Sequence, residues 1–134
     1  MTLPRHEDID KLVAFLRIFS AEGFQPMISG GAPELIGGVL SFVPTVYDPI
    51  VEEFIGIASE PPRLDYEYLD HKGSSVHDPE AVRNASLSTA CAMLTFLVRG
   101  ERFTDGSVGA AIEDGTLQGL LARIGELRWL MGDK

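Results

Sequence analysis

The chain has one cysteine, Cys91, one tryptophan, Trp129, and only 11 Lys and Arg against 20 Asp and Glu. A lone cysteine excludes an intrachain disulfide and a zinc site built on paired thiolates. The resulting charge of −9 at pH 7, with a pI near 4.6, leaves little of the basic surface that supplies most affinity for phosphate backbones. No run approaches the roughly 20 apolar residues that a membrane span needs. The opening Met-Thr-Leu-Pro-Arg-His-Glu-Asp has no apolar stretch behind a basic start, so no secretory leader is expected. The glycine pairs Gly30-Gly31 and Gly37-Gly38 have neither the spacing nor the lysine of a phosphate-binding loop, and Ser74-Ser75 lacks a nucleophile elbow's glycines. No repeat, linker or low-complexity segment interrupts the chain. The expectation is one cytoplasmic domain over 1–134, with no cofactor, no metal, and neither nucleic acid nor membrane as partner.

What is present is a series of apolar stripes at helical spacing. Ile9, Leu12, Val13, Leu16 and Phe19 place a first helix over about 7–21, with Gly23 as its left-handed stop. Asp48-Pro49 is a helix start, because Asp accepts the orphan amides and Pro fits the first turn. Ile50, Val51, Phe54, Ile55 and Ala58 carry that helix to Pro61-Pro62. Asp78-Pro79 repeats the signature for a short helix to about Asn84, and Ser86 caps the next, with Gly100 as its stop. Ser107–Asp114 form a short helix closed by Gly115. Thr116 caps the last one, whose stripe is Leu117, Leu120, Leu121, Ile124, Leu127 and Met131.

Between the first two helices the pattern changes. Residues 24–38 read as irregular, and the β-rich 39–47 read as a strand pairing with 24–28, at an edge or bulged because Pro44 has no donor. Residues 63–77 read as a loop with a short strand at 65–69. The fold class is therefore α+β, predominantly helical, about five helices with a small antiparallel sheet or hairpin near residues 24–47.

The segment Leu94-Thr95-Phe96-Leu97-Val98-Arg99-Gly100-Glu101-Arg102-Phe103-Thr104-Asp105-Gly106 carries a resemblance. So do Ile112-Glu113-Asp114-Gly115-Thr116-Leu117 and Leu120-Leu121-Ala122-Arg123-Ile124. Together with Gly37-Gly38-Val39, Val46-Tyr47-Asp48-Pro49 and Asp8-Ile9-Asp10-Lys11-Leu12, they are similar to a bacterial family catalogued as domain-of-unknown-function family 6508. The likeness runs over about residues 8–128 and is sharpest at Val98–Phe103. Members of that family often have Cys and His where Thr104 and Ser107 stand here, and Trp where this chain has Tyr66 and Tyr68. The resemblance implies no activity, cofactor or substrate.

Five groups of residues are candidates for chemistry or contact. Arg99 and Arg102 flank a bend that ends in Gly106 and Ser107. Two guanidiniums beside free helix amides suit a phosphate or carboxylate. The plainer alternative has Arg99 serving its own helix end, Arg102 pairing with Asp105, Glu113 or Asp114, and Asp105 filling the anion's place as a cap. Asp70-His71 and His77-Asp78, with Asp65, are metal-ligand types, but their spacing aligns no imidazoles and favours solvated loop residues. Residues 48–70 hold seven acids and one base, Arg63, which reads as a solvated face able to receive a basic partner. Cys91 lies in an apolar stripe and reads as a buried small hydrophobe. Trp129, with Leu130 and Met131, either closes the core or forms a self-association patch.

No complete catalytic set emerges, so the leading expectation is a non-enzymatic protein-interaction module with a second copy or another protein as partner. The alternative is a small anion-binding domain using Arg99, Arg102, Gly106 and Ser107. An enzyme with Arg102 as electrostatic clamp and Asp65, Glu67 or Asp105 as base ranks below both. A helix-turn-helix DNA reader is set aside, because the helix at 116–131 offers only Arg123 and Arg128, with Glu126 between them.

Overall fold

A computed structural model describes residues 6–29, 33–42, 46–59, 73–101 and 106–130. Six α-helices lie among the described residues: α1 (His6–Phe19), α2 (Pro49–Ala58), α3 (Pro79–Arg83), α4 (Leu87–Gly100), α5 (Ser107–Glu113) and α6 (Thr116–Leu130). The chain is predominantly helical, with one helix more than the rounded count of about five, and α5 and α6 are separate rods on either side of Gly115, as expected. Gly115, at φ +87°, makes the left-handed stop between them that few other residues adopt cheaply.

Local capping chemistry explains most helix starts. Asp48 accepts the Ile50 N–H at 3.0 Å, Asp78 accepts the Glu80 N–H at 3.0 Å, and the Ser86 hydroxyl accepts the Thr89 N–H at 3.2 Å. Each pairing satisfies an amide that has no partner within its own helix. Two expected boundaries are corrected. The carboxylate of Asp114 accepts the Thr116 N–H at 2.9 Å, so Asp114 and not Thr116 serves the start of α6. Gly100 is the last helical residue and Glu101 follows it in right-handed conformation. Gly100 is therefore not a left-handed stop, and a Cβ there would make ordinary contact, 3.6 Å, with the Ser107 hydroxyl oxygen.

The strands pair two by two. β1 (Met27–Ser29) runs antiparallel to β4 (Val46–Tyr47), with Met27 opposite Tyr47 and a register shift beyond it. β2 (Pro33–Ile36) and β3 (Val39–Phe42) form a hairpin over Gly37-Gly38, both at positive φ as a two-residue turn of the primed type requires. Residues 33–36 are thus a strand and not irregular, and the expected continuous strand 39–47 is two strands with different partners. Gly73–His77 is a 3₁₀ helix where a loop was expected. The proposed strand at 65–69 lies outside the described residues.

The core is centred on α4, whose residues Ala90 to Thr95 are all buried. Around it pack Ile9, Leu12, Phe15 and Phe19 of α1, Val51 and Phe54 of α2, Val108 and Ile112 of α5, and Leu117, Leu120, Leu121 and Ile124 of α6. Phe54 meets Phe15 and Phe19 edge to face at ring separations of 5.2 and 5.3 Å, the arrangement that aromatic quadrupoles favour. Cys91 is buried in this core. Among the described residues, no helix is long and apolar enough to cross a membrane.

Polar ties hold α6 in place. Gln118 Nε2 donates to the Ile112 and Phe19 carbonyls, Arg123 Nε donates to the Ala85 carbonyl at 3.0 Å, and Arg128 Nε reaches Asp10 Oδ1 at 3.1 Å. The two arginines of α6 are thereby turned onto the molecule's own acceptors.

Candidate functional site

The bend between α4 and α5 is assembled from three distant parts of the chain. Glu101, at the C-terminal end of α4, folds its carboxylate back over the start of α5. Its Oε2 accepts the Gly106 N–H at 2.8 Å, and its Oε1 accepts the Val108 N–H at 3.0 Å. Tyr47 of β4 donates its hydroxyl to the same Oε1 at 2.5 Å and accepts the Gly109 N–H at 3.0 Å. Gly106, at φ +88°, is the residue before α5 and has no side chain to cap the helix, so a remote acid supplies the acceptor. A negative charge at a helix start also suits the exposed positive end of its peptide dipoles.

Steric fit locks the same junction. Met27 and Tyr47 are opposite partners in the β1–β4 ladder and both press on Gly109. A Cβ on Gly109 would lie 2.8 Å from Tyr47 Cε1 and 3.0 Å from Met27 Cγ. Only glycine lets the ladder approach α5 this closely.

Arg99 stands in the last turn of α4 and Gly106 and Ser107 at the start of α5, while Arg102 and Asp105 lie outside the described residues. The Ser107 hydroxyl is buried and has no hydrogen-bond partner among the described residues. The amides expected to receive an anion hold the carboxylate of Glu101. Glu101 and Tyr47 were missed in the sequence as members of this site. The legible signal was Gly106 itself, since a helix start without a side-chain oxygen needs an acceptor from elsewhere.

The other candidates separate. His77 is exposed and stands edge-on to Phe96 at a ring separation of 6.1 Å, and Asp78 is occupied as the α3 cap. Asp65, Glu67, Asp70 and His71 lie outside the described residues. Glu52 and Glu53 are exposed on α2.

A second locus runs along the outer face of α6. A groove of about 390 Å³ lies between α3 and α6, with Pro79 and Val82 on one wall and Gly119 and Ala122 on the floor. Glu126 lines this groove and also the shallower one formed with Trp129 and Leu130. Trp129 is 80% exposed and Leu130 73% exposed. Of the two readings open for Trp129, closing the core is excluded.

The chain belongs to a family described as "Family of unknown function (DUF6508)", whose model matches residues 4–129. No curated protein and no solved structure matches the chain.

Proposed function

We propose that the protein is a non-enzymatic interaction module that receives its partner on the outer face of α6. The observation that carries this reading is the exposed Trp129, continuous through Glu126 with the groove over Gly119. Exposed tryptophan beside an apolar groove is the usual composition of an interface anchor. Crosslinking in the native cells, followed by recovery of the full chain, tests it. A stoichiometric partner, whether another protein or a second copy, is expected with the wild type and lost with Trp129→Ala. Recovery that does not depend on Trp129 overturns the reading.

A second reading keeps the bend as an anion site. It is favoured by the buried Ser107 hydroxyl and by a helix start that already accepts a carboxylate. An outside phosphate or carboxylate must then displace Glu101, or bind beside it through Arg99 and Arg102. Thermal-shift measurements with phosphates, nucleotides and carboxylates test this, since a ligand at 100 times its dissociation constant adds about 2.7 kcal/mol. No shift, or a shift that survives Arg102→Ala, removes it.

A further inference from the structure

We infer that the partner of the α6 face is a second copy of this chain, with Trp129 of each copy seated in the groove of the other. The inference rests on the interaction-module reading and adds the identity of the partner. A knob and a hole lie on one face of one helix. Gly119, Ala122, Glu126, Trp129 and Leu130 follow at i, i+3, i+7, i+10 and i+11, which keeps them on a common stripe. Trp129 stands ten residues beyond Gly119, about 15 Å along the axis at 1.5 Å per residue.

An antiparallel two-fold at the level of Ile124 lays Trp129 over the partner's Gly119 and repeats the contact in reverse. This is the self-complementarity that a closed, isologous dimer requires. Small residues make it sterically open: a Cβ on Gly119 would meet nothing within 4 Å, so the groove floor is bare backbone at that residue.

Charge agrees with shape. The same two-fold sets Glu126, whose side chain is 64% exposed, opposite the partner's Ala122. There it faces Arg83 on the α3 wall of the groove, while Arg123 stays with the Ala85 carbonyl and, at 4.0 Å, with Glu126 of its own chain. In a chain of net charge −9, this face offers a copy both an acid to give and a base, Arg83, to receive it.

Sedimentation equilibrium of the purified full chain, from micromolar to hundred-micromolar concentration, tests the dimer. The wild type is expected to dimerise reversibly. Trp129→Glu is expected to raise the dissociation constant about 30-fold or more, as loss of a buried anchor does. Gly119→Leu, which fills the groove from a position with free space, is expected to do the same while leaving the circular-dichroism spectrum unchanged. A wild type that stays monomeric throughout, or a dimer that survives either substitution, overturns the inference. A monomer that still captures a different protein through Trp129 overturns the second copy alone. A monomer with no Trp129-dependent capture overturns the module reading as well.

Discussion

At the α4–α5 bend, the amides of Gly106, Val108 and Gly109 have been given acceptors from inside the molecule, and the last space is filled by Met27 and Tyr47 against Gly109. Along the outer face of α6 the opposite holds. The largest aromatic side chain of the protein stands in solvent beside a groove left open among the described residues. In the sequence the two regions look reversed, because the bend carries arginines, a glycine and a serine, while the end of α6 carries an ordinary apolar cluster. Polar residue types mark a site only when their hydrogen-bonding capacity is left over after folding, and apolar types mark one only when burial fails. The bend is a joint whose amides are taken, with the buried Ser107 hydroxyl left over among the described residues, and the α6 face is a surface.

Breaking the joint produces the largest effects. Glu101→Ala removes the acceptor of the Gly106 and Val108 amides and of the Tyr47 hydroxyl. Each donor left without a partner costs about 1 kcal/mol or more in a partly buried setting. Urea denaturation is expected to show a loss of about 3 kcal/mol, and a loss below half of that would mean the bend is not a closed joint.

Gly109→Ala tests the steric half of the same joint. The added methyl meets the Tyr47 ring at 2.8 Å, and that ring cannot swing away because its hydroxyl is held at both ends. Overpacking of this kind costs about 1–3 kcal/mol, against a helix-propensity gain of nearly 1 kcal/mol. A net loss of up to about 2 kcal/mol is expected. Tyr47→Phe is milder, since it keeps the ring and removes only the hydroxyl that serves Gly109 and Glu101. A loss of about 1 kcal/mol is expected. A double-mutant cycle with Glu101→Ala should show coupling of at least about 0.5 kcal/mol, because the two side chains share one hydrogen bond.

The parts of the fold that were legible are those decided by neighbours in sequence. Asp48, Asp78 and Ser86 were read as caps because a cap needs only the next two or three amides, and all three serve as such. The apolar stripes of α1, α4 and α6 were legible for the same reason, although Phe15 of α1 is buried where Val13 and Leu16 are only partly so. The bend was not legible, because its decisive contact joins residues 54 apart in sequence, Tyr47 and Glu101. Nothing in the helical periodicity around Glu101 distinguishes it from a solvated acid. The division of 39–47 into two strands was equally hidden, since the partners of β3 and β4 are chosen by the Gly37-Gly38 turn and by the approach of β1 to α5. Trp129 was left between two readings because stripe position alone does not say whether a terminal turn is covered.

The smallest expected effect lies on the surface side of the comparison and has the opposite sign. Gly119 is exposed in the interior of α6, with helical backbone and open space where a Cβ would stand. Glycine there gives up close to 1 kcal/mol of helix stability relative to alanine, a cost with no packing reason inside one copy of the chain. Gly119→Ala is therefore expected to raise unfolding stability by about 0.5–1 kcal/mol in dilute solution, where association does not contribute. Thermal or urea denaturation at micromolar concentration checks it. Destabilisation would mean that the groove floor is already packed against part of the same chain, and the contrast between a closed joint and an open face would fail at its open end.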